Sequence, residues 1–348
     1  MPPFDRTSSQ GGTTRGRSRA DVVRLINPLW DRNGGGDWRT FEMYRMAAQQ
    51  CRVDVWSRFF PAKEFAQRCP VRLIRPWLGR IPIGGTFIFV GAYFRVGHWF
   101  KASLPRRVIL IYNTLQPDRL EKVLQRLRAW HHTPVELVYT SPLLRSLSPY
   151  PGRVIESPND IARFVPRATA VSAQRFCVGR LSRDIATKHH HEDALVYSAL
   201  ASAGVDVRIM GGTCLNDGVR GKVMAALLAA GSVPAVEFLH GLYCFYYRTS
   251  ERWLEAYGRV VFEAMACGLP VVCRRRGGYA DYIVHRVNGF LVDTTDQAVA
   301  LILKLKEDPA LRSRIGRAAR LTVENMYRGR AWQQKQAFFL HSTEAQQA

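Results

Sequence analysis

Acidic residues are scarce in this chain of 348 residues: 28 Asp and Glu stand against 50 Lys and Arg, a formal net charge of +22. That imbalance draws polyanions, anionic headgroups and phosphorylated small molecules to the surface. Nucleic acid is excluded as the expected partner, because no zinc-finger spacing, RNP aromatic motif or heptad-bearing basic region is present. The seven cysteines are odd in number, far apart and never in a Cys-x-x-Cys pair. This excludes a disulfide framework and leaves reduced core residues. Long apolar runs are missing as well, since even Gly84–Phe100 is broken by Arg95 and His98, well short of the ~20 residues a membrane span needs. Met1–Ala20 holds four arginines and no apolar core segment, so it reads as a disordered basic tail rather than a secretory signal. The expected location is cytoplasmic, either free or peripheral on the cytoplasmic membrane face.

What is there is a globular composition, 47% hydrophobic and 22% charged, at a length that calls for two domains. From Asp21 short β-branched or apolar runs alternate with helical stretches, the rhythm of βαβ units in a doubly wound α/β fold. The first half offers strands at Val22–Asn27, Val53–Ser57, Thr86–Gly91, Val108–Tyr112, Val135–Tyr139 and Val154–Ser157. Helices are expected at about Thr40–Gln50 and Pro117–Trp130. Pro166, Arg167 and small polar residues then interrupt the periodicity over Ile161–Ala173 and mark a linker. The second half restarts with strands at Arg175–Gly179, Val205–Met210, Tyr243–Tyr247, Val271–Arg274 and Phe290–Val292. Its helices are expected at Asp193–Ala203, Val260–Ala266, Ala298–Glu307, Pro309–Asn325 and Ala331–His341. The expected division is a tail over 1–20, one Rossmann-like domain over 21–168, a second over 169–325, and a terminal helix and tail over 326–348 that crosses back toward the first domain.

Chemistry concentrates in Glu255-Ala-Tyr-Gly-Arg-Val-Val-Phe-Glu263-Ala-Met-Ala-Cys-Gly268-Leu-Pro270-Val-Val. A loop containing Gly258 enters a helix that stops at Gly268 before a buried strand. The helix N-terminus presents outward N–H groups and the positive end of its dipole, which suits a sugar diphosphate. A carboxylate at Glu263 can accept hydrogen bonds from vicinal ribose hydroxyls, and Glu255, ahead of the turn, is placed toward the sugar. Two glutamates eight apart would alone be an ordinary solvated pair. Upstream, Val178-Gly179-Arg180-Leu181-Ser182 leads to Lys188, two cations just past a strand end, where α/β folds bind ligands. Fixed cations there would stabilise a departing diphosphate without a metal.

Together these segments resemble the donor site of family 4 glycosyltransferases, the group with a Glu-(seven residues)-Glu motif. The resemblance extends through Gly277-Gly278 and is strongest over about Arg175–Leu321. It implies a GT-B fold, two Rossmann-like domains facing across a cleft, and metal-independent transfer with retention at the anomeric carbon. A hexosyl group would move from a UDP- or GDP-linked donor to a hydroxyl of a glycan or lipid-linked acceptor, as in cell-surface polysaccharide or glycolipid synthesis. It assigns catalytic roles to Glu255, Arg180 and Lys188. Donor contacts fall to Glu263, to Ala256, Tyr257, Gly258, Arg259 and Val260, and to Gly179 and Gly211 in strand turns. Across the cleft they fall to Gly35 and Gly36 of Asn33-Gly-Gly-Gly-Asp37. That glycine run matches neither a Walker A nor a Gly-x-Gly-x-x-Gly pattern, and glycine there would let backbone approach a ligand.

The family's acceptor-side histidine has no counterpart in Phe89-Val-Gly91-Ala-Tyr93, which leaves His98 and Asn113 nearby. His189-His190-His191 points in divergent directions along a helix start and is a poor chelate, so no metal or other cofactor is expected. The basic helix with Arg119, Lys122, Arg126 and Arg128 suits an anionic membrane or a solvated face equally. Two other activities share the same elements: a GT-B epimerase or phosphorylase, and a polyanion-binding protein with an inactive site.

Overall fold

A computed structural model describes residues 22–94, 96–167, 175–215 and 225–340. The expected tail at 1–20, the boundary at 168/169 and His341 at the end of the last expected helix lie outside them.

The first sheet contains seven strands: β1 (Val23–Ile26), β2 (Val53–Ser57), β3 (Val71–Leu73), β4 (Thr86–Val90), β5 (Arg107–Tyr112), β6 (Val135–Tyr139) and β7 (Arg153–Val154). Their spatial order is β3-β2-β1-β4-β5-β6-β7 and every pair is parallel. Strands buried on both faces read as unbroken apolar runs, as in Val108-Ile-Leu-Ile-Tyr112, all buried. Between the strands run α1 (Gly35–Ala47), α2 (Lys63–Ala66), α3 (Pro117–Trp130) and α4 (Pro142–Ser146). In α3, Pro117 opens the first turn and Leu120, Val123, Leu124 and Leu127 bury one stripe at helical spacing.

The second sheet repeats the design with β8 (Cys177–Leu181), β9 (Asp206–Met210), β10 (Ala225–Leu228), β11 (Cys244–Tyr247), β12 (Val271–Arg274) and β13 (Phe290–Val292), ordered β10-β9-β8-β11-β12-β13 and again parallel. Its helices are α5 (Asp193–Ser202), α6 (Ala235–His240), α7 (Arg259–Ala266), α8 (Thr295–Glu307) and α9 (Pro309–Tyr327). Both sheets reverse direction of winding once, between β1 and β4 and between β8 and β11. Such a switch point opens a crevice at the strands' carboxyl ends, and the two crevices face each other.

After α9 the chain turns at Gly329, whose φ is +76°, into α10 (Gly329–Leu340). This helix returns to the first domain, as expected. Phe338, Phe339 and Leu340 are buried with Val23, Leu25, Ile88 and Ile109, each side chain contributing about 1.5–3 kcal/mol of apolar burial. Lys335 pairs with Glu156 at 2.7 Å, and Arg107 stacks on the Phe338 ring at 4.4 Å.

Most expected elements appear within two residues of their predicted bounds. Three departures matter. Strand β8 runs two residues further along the chain than expected, which carries Arg180 into the sheet. Helix α1 starts at Gly35, five residues early, so Gly35 and Gly36 form its first turn rather than a loop. Edge strands β3 and β10 were not anticipated, because both are short and half-buried.

Candidate active site

Between the two switch points lies a cleft of about 780 Å³, lined from the first domain by Asn27, Gly35, Gly36, Asp37 and Asn113, and from the second by Lys188, Glu255, Gly258 and Glu263. Tyr257, Arg259 and Val260 line it too, so most of the expected donor contacts converge.

At its centre, Lys188 Nζ donates to Glu255 Oε2 in a close ion pair, and the Tyr247 hydroxyl donates to the same oxygen at 2.8 Å. Burial pushes the Glu255 carboxyl up, yet the Lys188 ammonium and the two hydrogen bonds outweigh it and hold it below its ordinary value. Burial in turn lowers Lys188, opposed by Glu255. The ammonium also sits 4.5 Å from the centre of the Trp253 ring.

The loop behind Glu255 requires glycine. Gly258 has φ +80°, and a Cβ there would stand 2.5 Å from Tyr279 Cδ1. Gly278 N donates to Glu255 O at 2.8 Å, fixing the loop against the following turn. Helix α7 then starts at Arg259 with its N-terminus toward the cleft. Four residues on, Glu263 Oε1 accepts from Arg259 Nε at 2.7 Å, and Arg259 Nη2 reaches Glu42 Oε1 of the first domain at 3.8 Å.

Four expected contacts do not line the cleft. The Arg180 side chain is 1% exposed. Its guanidinium donates to Asp193 Oδ2 at 3.1 Å, to Arg248 O at 2.7 Å and to Lys188 O, and it stacks on Tyr247 at 5.1 Å. As a strand residue, the Arg180 expected at the diphosphate points into the sheet–α5 interface, where it braces the segments carrying Lys188 and Tyr247. Ala256 is buried, its carbonyl accepting from Ser141 Oγ at 2.7 Å. Gly179 and Gly211 are packing positions, since a Cβ would lie 2.6 Å from Leu242 Cδ2 at the first and 2.0 Å from Ser182 O at the second.

Sequence reasoning missed Arg183, which lines the cleft, approaches Asp31 of the first domain at 3.7 Å and lies over Trp253 at 5.3 Å. The signal available was a third cation, three residues past Arg180 and outside the strand. It also missed Asp37, which accepts from Asp31 N at 2.9 Å; burial raises its carboxyl to about 6 despite that hydrogen bond. Of the two residues near the absent histidine, Asn113 reaches the cleft, where Cβ atoms at Gly36 and Gly91 would come within 3.0 and 3.2 Å of its side-chain amide. His98 stacks instead on Trp130 at 4.8 Å.

The histidine run is occupied with structure. His189 Nε2 contacts Gly211 O at 2.8 Å, and burial, with Arg180 nearby, lowers it to about 4. His190 reaches Glu251 at 3.3 Å. Among the described residues no group of three or more His, Cys, Asp or Glu could hold a metal, and none of the helices is long and apolar enough to cross a membrane.

Two doubly wound parallel sheets facing across a cleft, joined by a returning terminal helix, are the GT-B architecture. Residues 235–322 match the family model described as glycosyl transferases group 1, a segment containing both Glu255 and Glu263. Over 94 residues the chain is 40% identical to the D-inositol 3-phosphate glycosyltransferase of Pseudarthrobacter chlorophenolicus, covering 26% of this chain and 21% of that protein. Over 84 residues it is 37% identical to sucrose synthase 1 of Tulipa gesneriana, covering 22% and 10%. The aligned segments thus span about a fifth or less of these relatives. The crystal structure of Anabaena Alr3699/HepE in complex with UDP-glucose superposes with a TM-score of 0.67 at 17% identity, over 92% of this chain and 99% of that one, a likeness of fold.

Proposed function

We propose that the protein is a retaining glycosyltransferase that moves a hexosyl group from a nucleotide-diphosphate sugar to a hydroxyl of a glycan or lipid-linked acceptor. The observation that carries this reading is the convergence of Lys188, Glu255, the α7 N-terminus and Glu263 on one wall of the interdomain cleft. Glu263 accepts from the ribose hydroxyls, and Glu255 with the backbone of Tyr257 and Gly258 holds the sugar. Lys188 and the α7 N–H groups face the diphosphate, joined by Arg183, while Arg180 acts through Lys188 as a positioning residue. The bond from the anomeric carbon to the diphosphate oxygen breaks as the acceptor oxygen attacks the same face. The acceptor proton passes to the departing phosphate oxygen, so no protein base is required. Closure of the two domains over the cleft would exclude water and so limit donor hydrolysis. The UDP-glucose bound to the Anabaena protein makes a uridine donor the first to assay.

The test is turnover with UDP- and GDP-hexoses, with and without glycan acceptors, and the product's anomeric configuration read by NMR. A glycosylated product that keeps the donor's configuration and appears only with acceptor supports the proposal. Inversion, or sugar conversion without acceptor, as an epimerase would give, contradicts it.

A further inference from the structure

Four exposed aromatic side chains of the first domain, Trp30, Phe59, Phe60 and Trp77, are linked by ring and cation contacts or by sequence adjacency. Trp30, at the rim of the cleft, packs against Phe59 with ring centroids 5.0 Å apart. Phe60 follows, and the Arg75 guanidinium lies 5.6 Å from the centres of both the Phe60 and the Trp77 rings. Phe60 is 76% exposed and Trp77 75%, with Leu78 and Ile83 also exposed. The tip that carries Trp77 and Leu78 is rigidly closed: Arg75 and Arg80 exchange backbone hydrogen bonds of 2.8 and 3.1 Å, and Gly79 turns the chain at φ +65°. A contiguous apolar patch held out into water marks an interaction surface.

Its charge selects the occupant. Residues 58–83 carry six Lys and Arg against the single acidic Glu64, and of these Arg75 lies between the exposed Phe60 and Trp77 rings with Arg80 closing the same turn. That combination fits a surface with phosphates at the top and hydrocarbon just beneath, where amphipathic aromatic rings settle at the boundary. The helix α3, whose basic face suggested a membrane contact from sequence, lacks the second half of this pairing: its leucine stripe is buried against the sheet, leaving charge without an apolar surface.

We propose that this face, centred on Phe60, Trp77 and Leu78, docks on an anionic lipid bilayer, with Arg75 and Arg80 among the lipid phosphates. Trp30 joins the patch to the cleft. On the transferase reading above, on which this consequence rests, the acceptor side of the cleft would open at the membrane surface and receive a hydroxyl carried on a lipid.

Full-length protein is sedimented with phosphatidylcholine vesicles with and without phosphatidylglycerol. The variants are Phe60→Ser/Trp77→Ser and, as a charge control on α3, Lys122→Ala/Arg126→Ala/Arg128→Ala. Wild type should bind only the anionic vesicles. The aromatic variant should lose roughly tenfold or more in partitioning, since burial of two large rings is removed, and the α3 variant should keep most of its binding. Equal partitioning of the aromatic variant and wild type, as charge-only attraction to any polyanion would give, overturns the proposal, as does absence of vesicle binding. Thermal shift with a UDP-hexose, read on the same samples, should be unchanged in the aromatic variant. A missing shift in wild type would sink the transferase reading while leaving the docking result intact.

Discussion

Lys188 and Glu255, sixty-seven residues apart in sequence, form a close ion pair on the cleft wall. Both side chains are largely shielded from solvent, so neither charge is tolerated without the other: removing one partner of a buried pair costs about 3–5 kcal/mol, more than the pair itself contributes. Lys188→Met and Glu255→Leu should therefore each lower the melting temperature, and the double variant should recover much of the loss. Turnover should be abolished in all three. A double-mutant cycle by calorimetry checks the coupling, and additive destabilisation would contradict it.

Arg180 and Arg183 separate structure from ligand contact. Arg180→Met removes the donor to the buried carbonyls of Lys188 and Arg248, while Asp193 keeps Arg248 Nε and the Tyr246 hydroxyl; the unsatisfied carbonyls should cost roughly 1–3 kcal/mol. Arg183→Ala touches a half-exposed side chain whose pair with Asp31 is worth under about 1 kcal/mol. It should leave stability nearly unchanged while weakening nucleotide-sugar binding. Denaturant melts and binding titrations on both variants test the split; the reverse pattern would return Arg180 to direct diphosphate contact.

Gly258→Ala places a methyl group against Tyr279 at a positive φ. Strain of about 1–3 kcal/mol is expected, relieved only by shifting the loop that positions Glu255. Donor affinity should fall together with stability, as thermal shift with and without a nucleotide sugar would show.

Asp37 gives a pH signature. Its folded-state carboxyl, raised by burial to about 6, binds a proton more readily than in the unfolded chain. Its contribution to stability is therefore greatest at low pH and declines as pH rises through the interval from its ordinary value to about 6. Asp37→Asn keeps an oxygen to accept from Asp31 N and removes the titration. The variant should melt higher than wild type at pH 7 to 8, with the difference vanishing near pH 4. A difference independent of pH would show that Asp37 titrates normally.

The sheets were legible because parallel strands buried on both faces leave apolar runs such as Val108–Tyr112, and because α3 writes its buried stripe at regular spacing. The loop ahead of α7 was legible because its turn needs a glycine at Gly258, whose φ is +80°, between two glutamates that both line the cleft. Strands β3 and β10 sit half-buried at sheet edges and lack that signature. The burial of Arg180 could not be read either, because the expected strand stops at Gly179, one residue short of it, and its partner Asp193 is set against it only by the packing of α5 on the sheet. Arg183, Asp37 and the Trp30–Trp77 face depend on which loops meet across the cleft or project from it, a matter of tertiary placement rather than local pattern.

Calorimetric titration of wild type and Glu263→Gln with a panel of UDP- and GDP-hexoses tests the central claim most directly. Wild type should bind at least one of them, and the variant, with the carboxylate proposed for the ribose neutralised, should bind that ligand roughly tenfold or more weakly at an unchanged fold. Failure of wild type to bind any nucleotide sugar, or equal affinity in the variant, would contradict a donor site on this wall of the cleft.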